Sequence, residues 1–130
     1  MNKRISSVLA GIVVGFAIVF AGDWISHFIY PMPASMDLND PDSIRAVMAA
    51  VPRGVLVLML GYWLLSSFAG GFVAGKINRE GWKRSSIFTG SILLAGAIGN
   101  FFMIPHPAWM IVASLILYIP CAYLGGKLAS

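Results

Sequence analysis

The sequence predicts an all-α membrane protein, a bundle of four spanning helices, and three observations carry that prediction. Of its 130 residues 58% are hydrophobic and only 11% charged, against about 25% charged in an ordinary soluble domain. Mean hydropathy is +0.83. Four apolar runs, 5–29, 55–77, 85–104 and 108–128, each reach the length of about 20 residues that a helix needs to cross a hydrocarbon core. None of them alternates with the two-residue period of a barrel strand. Backbone groups in lipid must be satisfied within their own segment, so each run reads as a helix despite its β-branched residues. The whole of 1–130 reads as one transmembrane domain.

The first span opens on Lys3 and Arg4 and runs to Tyr30. Its start resembles a secretory signal, with the small-residue triplet "VFA" at 19–21, but the apolar run continues past Ala21 and is long for such a signal. It reads as a retained span. Gly11, Gly15 and Gly22 fall within about 40° of one another on a helical wheel and predict a close-packing seam.

The segment 30–53 is the one sizeable stretch outside the lipid. Pro31, Pro33 and Pro41 oppose an early helix, whereas Asp42 or Ser43 can cap a short helix "IRAVMAAV" that Pro52 ends. Ile44, Val47, Met48 and Val51 give that helix one apolar face, suited to lying over the bundle as a lid.

The remaining spans carry further stripes of small residues: Ser67, Gly71 and Gly75 in the second, Ser91, Ala95 and Gly99 in the third, and Cys121, Gly125 and Ala129 in the fourth. Small residues at this spacing let helix backbones approach where no hydrophobic effect drives them together. Cys121, the single cysteine, reads as a small packing residue, since no base stands at a readable spacing.

Charge orients the spans. If they alternate, Lys3, Arg4, Lys76, Arg79, Lys83, Arg84 and Lys127 share one side, and only Arg45 and Arg53 take the other. Basic residues concentrate on cytoplasmic loops, so both termini are expected in the cytoplasm and the acidic stretch "PMPASMDLNDPDS" outside. The net charge of +4 has this explanation and forms no basic stripe suited to nucleic acid.

An internal repeat is also legible. "KRISSVLAG" at the first span returns as "KRSSIFTG" at the third, so that Ser6, Ser7 and Gly11 recur as Ser85, Ser86 and Gly90, 79 positions on. Gly75-Lys76-Ile77 returns as Gly126-Lys127-Leu128, 51 positions on. The pattern predicts a duplicated helical hairpin whose copies share one orientation.

The polar residues inside the apolar runs are the functional candidates. Asp23 and His27 stand at i and i+4 on one helix face. Asn100 lies at similar depth in the third span, and His106 sits between Pro105 and Pro107 at its outer end. An ionisable residue within a span suggests a function until a partner is found for it. Three readings stay open: a self-satisfied structural cluster, a proton- or solute-coupling group, or a divalent metal on His27, His106 and Asp23. No metalloprotease, P-loop, nucleophile-elbow or paired-cysteine motif occurs, and Asp37, Asp40 and Asp42 share the outer loop, leaving no carboxylate pair within the membrane. The expectation is a non-enzymatic protein without cofactor. Its expected partners are the lipid bilayer and other membrane subunits or a second copy, with a small transporter or channel around Asp23 as the alternative.

The stretch "GAIGNFFMIPHPAWMIVASLILYIPCAYLGGKLAS", together with "GGFVAGKI", resembles a family of small bacterial inner-membrane proteins with four predicted helices. The resemblance covers the last half of the chain and, loosely, the first helix. It implies a bacterial inner membrane. The family carries no assigned activity, so no residue role follows from it.

Overall fold

The computed structural model describes residues 2–31, 39–103 and 106–130. Its helices are α1 (Lys3–Ile29), α2 (Pro41–Ala50), α3 (Arg53–Ile77), α4 (Trp82–Met103) and α5 (Ala108–Ala129), with no strand among the described residues. All but α2 are long and apolar enough to cross a membrane. The protein is thus an all-α, multi-pass membrane bundle, and each span begins and ends within three residues of the sequence expectation. Pro33, Asp37, Ile104 and Pro105 lie outside the described residues.

Local chemistry sets the helix ends. The Asn2 side chain accepts from the Arg4 amide at 2.8 Å and caps α1. The cap of α2 differs from expectation. Asp40, rather than Asp42 or Ser43, accepts from the Asp42 amide at 3.0 Å, because Pro41 takes the first helical position, where its missing N–H is not needed. Pro52 and Pro107 stand one position earlier, as the N-cap residues of α3 and α5, and provide no side-chain cap. Pro120 lies inside α5, where bundle packing tolerates the hydrogen bond it removes.

Successive spans run antiparallel. Both termini, the end of α3 and the start of α4 gather at one end, and α2 covers the other. Helix α3 packs against α1, α4 and α5, while α1 and α5 take opposite corners. The bundle is inside-out relative to a soluble protein. Phe20, Trp24, Phe28 and Phe102 are exposed to the surroundings, and Ser7, Ser66, Ser67, Ser85, Ser86, Thr89 and Ser114 are buried with glycine and alanine. Small residues inside and large apolar ones outside suit lipid as solvent.

Glycine decides how closely the helices approach. A Cβ on Gly11 would meet the Gly70 carbonyl at 2.6 Å, and one on Gly70 would meet the Gly11 carbonyl at 2.8 Å. A Cβ on Gly15 would strike Leu93 at 2.7 Å. Between α3 and α5, a Cβ on Gly71 would run into the Ala122 backbone, one on Gly75 would stand 2.8 Å from the Gly126 Cα, and one on Gly125 would overlap the Phe68 carbonyl. The third-span stripe is corrected. Gly99 has nothing within 4 Å and Ala95 is exposed; α4 instead buries Ser86, Gly90, Leu93 and Ala97. That face is about 170° away from the expected one, nearly opposite it. The hydroxyl of Ser91 is satisfied by its own helix, donating to the Ile87 carbonyl at 2.8 Å, and needs no neighbour. In α5 the buried face runs through Ser114, Tyr118, Ala122, Gly125 and Gly126, so Gly125 belongs to it while Cys121 and Ala129 are only half-buried.

Candidate outer cavity

At the α2 end the helices part around a cavity of about 250 Å³, lined among others by Asp23, His27, Tyr62, Trp63, Asn100 and His106. Four of these, Asp23, His27, Asn100 and His106, are the polar residues that the sequence singled out. They arrive from three places: α1 supplies Asp23 and His27 one turn apart, α4 supplies Asn100, and His106 comes from the connection before α5.

Tyr62, which sequence reasoning missed, holds the Asp23 carboxylate. Its hydroxyl donates to Asp23 Oδ1. Gly22 makes that contact possible, because a Cβ there would overlap the Tyr62 ring. Gly22 therefore admits a side chain, whereas Gly11 admits a backbone. The signal for Tyr62 lay in its depth, since it stands nine residues into α3 at about the level of Asp23.

His106 is set among rings. Its imidazole centroid lies 5.6 Å from that of Trp63 and 5.1 Å from that of Phe101, the latter edge-on. Arg53 stands 6.0 Å over the Trp109 ring and ties the start of α3 to the start of α5. Helix α2 covers one side of the cavity: Ile44, Met48 and Val51 are buried in one cluster with Leu56, Trp63 and Met110, and Met48 and Val51 line the cavity, while Asp23 and His27 on α1 stay exposed. The amphipathic segment is a partial cover over this end of the bundle.

Asp23, His27 and His106 line one cavity, but among the described residues no three His, Cys, Asp or Glu side chains converge closely enough to hold an ion. The Asp23 carboxylate is bonded to a phenol, and the His106 imidazole packs tilted and edge-on against two rings.

Below the cavity the polar groups turn inward to backbone. Ser66 donates to the Trp63 carbonyl at 2.5 Å, Ser67 to the Tyr118 carbonyl at 2.6 Å, Ser86 to the Gly71 carbonyl at 2.8 Å, and Thr89 to the Ser85 carbonyl at 2.7 Å. At the terminal end, Asn78 donates to Ser85 Oγ at 3.0 Å, and Ser85 and Ser7 are hydrogen-bonded at 3.0 Å, joining α1, α4 and the α3–α4 turn. Among these buried hydroxyls only Ser114 Oγ has no partner among the described residues.

Fold and site together define a multi-pass membrane bundle with a polar cavity at one end, partly covered by α2, and close-packed helices beneath it. Compared with family models, curated proteins and solved structures, the chain has no match in any of the three.

Proposed function

We propose that this chain is a non-enzymatic accessory protein of a bacterial inner membrane, which acts by binding another membrane component rather than by moving a solute. One observation carries the reading. Beneath the cavity, α3 and α5 meet backbone to backbone at Gly71 and Ala122, and the hydroxyls that could line a path donate to carbonyls instead. A hydroxyl committed to a backbone carbonyl does not hand a proton onward, and a seam without room for a Cβ does not admit water. The division of the basic residues, seven against two, supports cytoplasmic termini and an external cavity. The resemblance to four-helix inner-membrane proteins supports the compartment.

The contacts between α3 and α5 also favour an origin by duplication. Ser67 bonds to Tyr118, Gly71 abuts Ala122 and Gly75 abuts Gly126, each pair separated by the repeat offset of 51. Residues paired with their own repeat mates are what an axis along the membrane normal produces.

The test is purification of the full chain from native membranes in mild detergent, for the wild type and for Asp23→Ala and Tyr62→Phe. A component retained in fixed ratio by the wild type and lost from folded variants is the expected result; a wild type that retains nothing overturns the accessory role. The Asp23–Tyr62 pair favours a second reading, a small transporter, since a carboxylate held in a cavity within a span is how coupled carriers bind protons. A pH-dependent flux in proteoliposomes would replace the first reading with the second.

A further inference from the structure

At the end that carries the termini, the outer surfaces of α1 and α4 flank a groove of about 650 Å³, within the range of about 300–1,000 Å³ typical of small-molecule sites. Its walls are apolar, chiefly Ile5, Leu9, Ile12, Ile87, Phe88 and Ile92. Its mouth is basic: Arg4, Lys83 and Arg84 line it and are exposed. The only ion pair among the described residues is Arg45–Asp42, at the other end of the bundle, and Glu80, the one acidic side chain near this end, makes no ion pair with any of the three cations. From Ile5 to Ile12 the groove descends about 10 Å at 1.5 Å per residue, within the depth of about 15 Å of one leaflet's hydrocarbon.

We infer that this groove is a binding site for one anionic phospholipid, with an acyl chain lying between α1 and α4 and the phosphodiester held by Arg4, Lys83 and Arg84. The ends of the groove match the ends of such a molecule. Guanidinium groups bind phosphate through paired charge-assisted hydrogen bonds, and basic pockets between spans are suited to anionic headgroups. An acidic peptide would satisfy the mouth and leave the apolar walls uncovered. A second copy docking by the same face would cover the walls but bring six cations together, because a two-fold contact meets itself. The groove lies at the opposite end of the bundle from the Asp23 cavity and owes nothing to its role.

The experiment is native mass spectrometry of the full chain in mild detergent, titrated in parallel with phosphatidylglycerol and phosphatidylcholine of the same acyl chains. The expected result is one phosphatidylglycerol bound in preference to phosphatidylcholine, with the preference falling about fivefold for each of R4Q, K83Q and R84Q. R79Q and K127Q, whose cations stand outside the groove, should keep it. Ile12→Trp, which fills the groove and leaves the cations in place, should lose bound lipid of either kind. Equal retention of both lipids, displacement of phosphatidylglycerol by equimolar inorganic phosphate, or a mass of two chains in place of chain plus lipid would each overturn the assignment. Should one of the glutamine variants not fold, the other two and Ile12→Trp still decide it.

Discussion

The ring of Tyr62 occupies the space where a side chain on Gly22 would stand, and from there its hydroxyl reaches the carboxylate of Asp23, the next residue along α1. Two adjacent residues of one helix thus provide the recess and the acceptor for a single tyrosine of another. Asp23 survives in an apolar span because a donor from α3 meets it, and the donor is in place because residue 22 is the smallest available.

Gly22→Val and Tyr62→Phe should therefore be non-additive. Each should destabilise the bundle, Tyr62→Phe by about 0.5–1.5 kcal/mol, the range for side-chain hydrogen bonds between membrane helices. The double variant should lose little more than the worse single one, as measured by unfolding in a denaturing detergent. Strict additivity would separate the two residues.

Asp23→Asn keeps size and hydrogen-bonding capacity while removing the charge, so it should yield a folded protein at least as stable as the wild type. In proteoliposomes neither protein should carry a pH-dependent flux. A flux present in the wild type and abolished in a folded Asp23→Asn variant would establish coupling and displace the accessory reading.

Gly71 and Gly99 provide a contrast at one residue type. Leu at Gly71 must displace the Ala122 backbone and should cost about 1–3 kcal/mol or more, with loss of folded protein in mild detergent. Leu at Gly99 enters open space and should be tolerated. Equal yields from both variants would remove the case for a sealed α3–α5 seam.

A reporter fused after Ser130 should behave as cytoplasmic, and one inserted at Asn39 as external, given the seven-to-two division of basic residues. The reverse pattern would invert the bundle and place the Asp23 cavity on the inside.

Partial cover by α2 is testable in the same membranes. In a chain with Cys121 replaced by Ala, Asn100→Cys should react slowly with a membrane-impermeant maleimide, and adding Met48→Asp, which buries a charge against Leu56 and Trp63, should speed the reaction. An unchanged rate would mean that α2 does not cover the cavity.

What the sequence determined alone was whatever a single segment must satisfy by itself. The bilayer requires each span to be long, apolar and internally hydrogen-bonded, so 55–77 and 108–128 were legible without knowledge of any neighbour. Pro41, Pro52 and the apolar face of Ile44, Met48 and Val51 similarly mark α2 within its own few residues. The polar residues of the cavity were legible because Asp23, His27 and Asn100 interrupt apolar runs. Tertiary structure decided which way each helix faces. The spans are apolar around nearly their whole circumference, so periodicity does not tell Ser91, Ala95 and Gly99 from Ser86, Gly90 and Leu93, and the choice fell to the latter face. The same holds for the pairing of Tyr62 with Asp23, for the rings around His106, and for the hydroxyls that end on carbonyls of other helices. In lipid no hydrophobic effect sorts one apolar face from another, and helix rotation is set by close packing and hydrogen bonds between two helices, which belong to the pair and are written in neither segment alone.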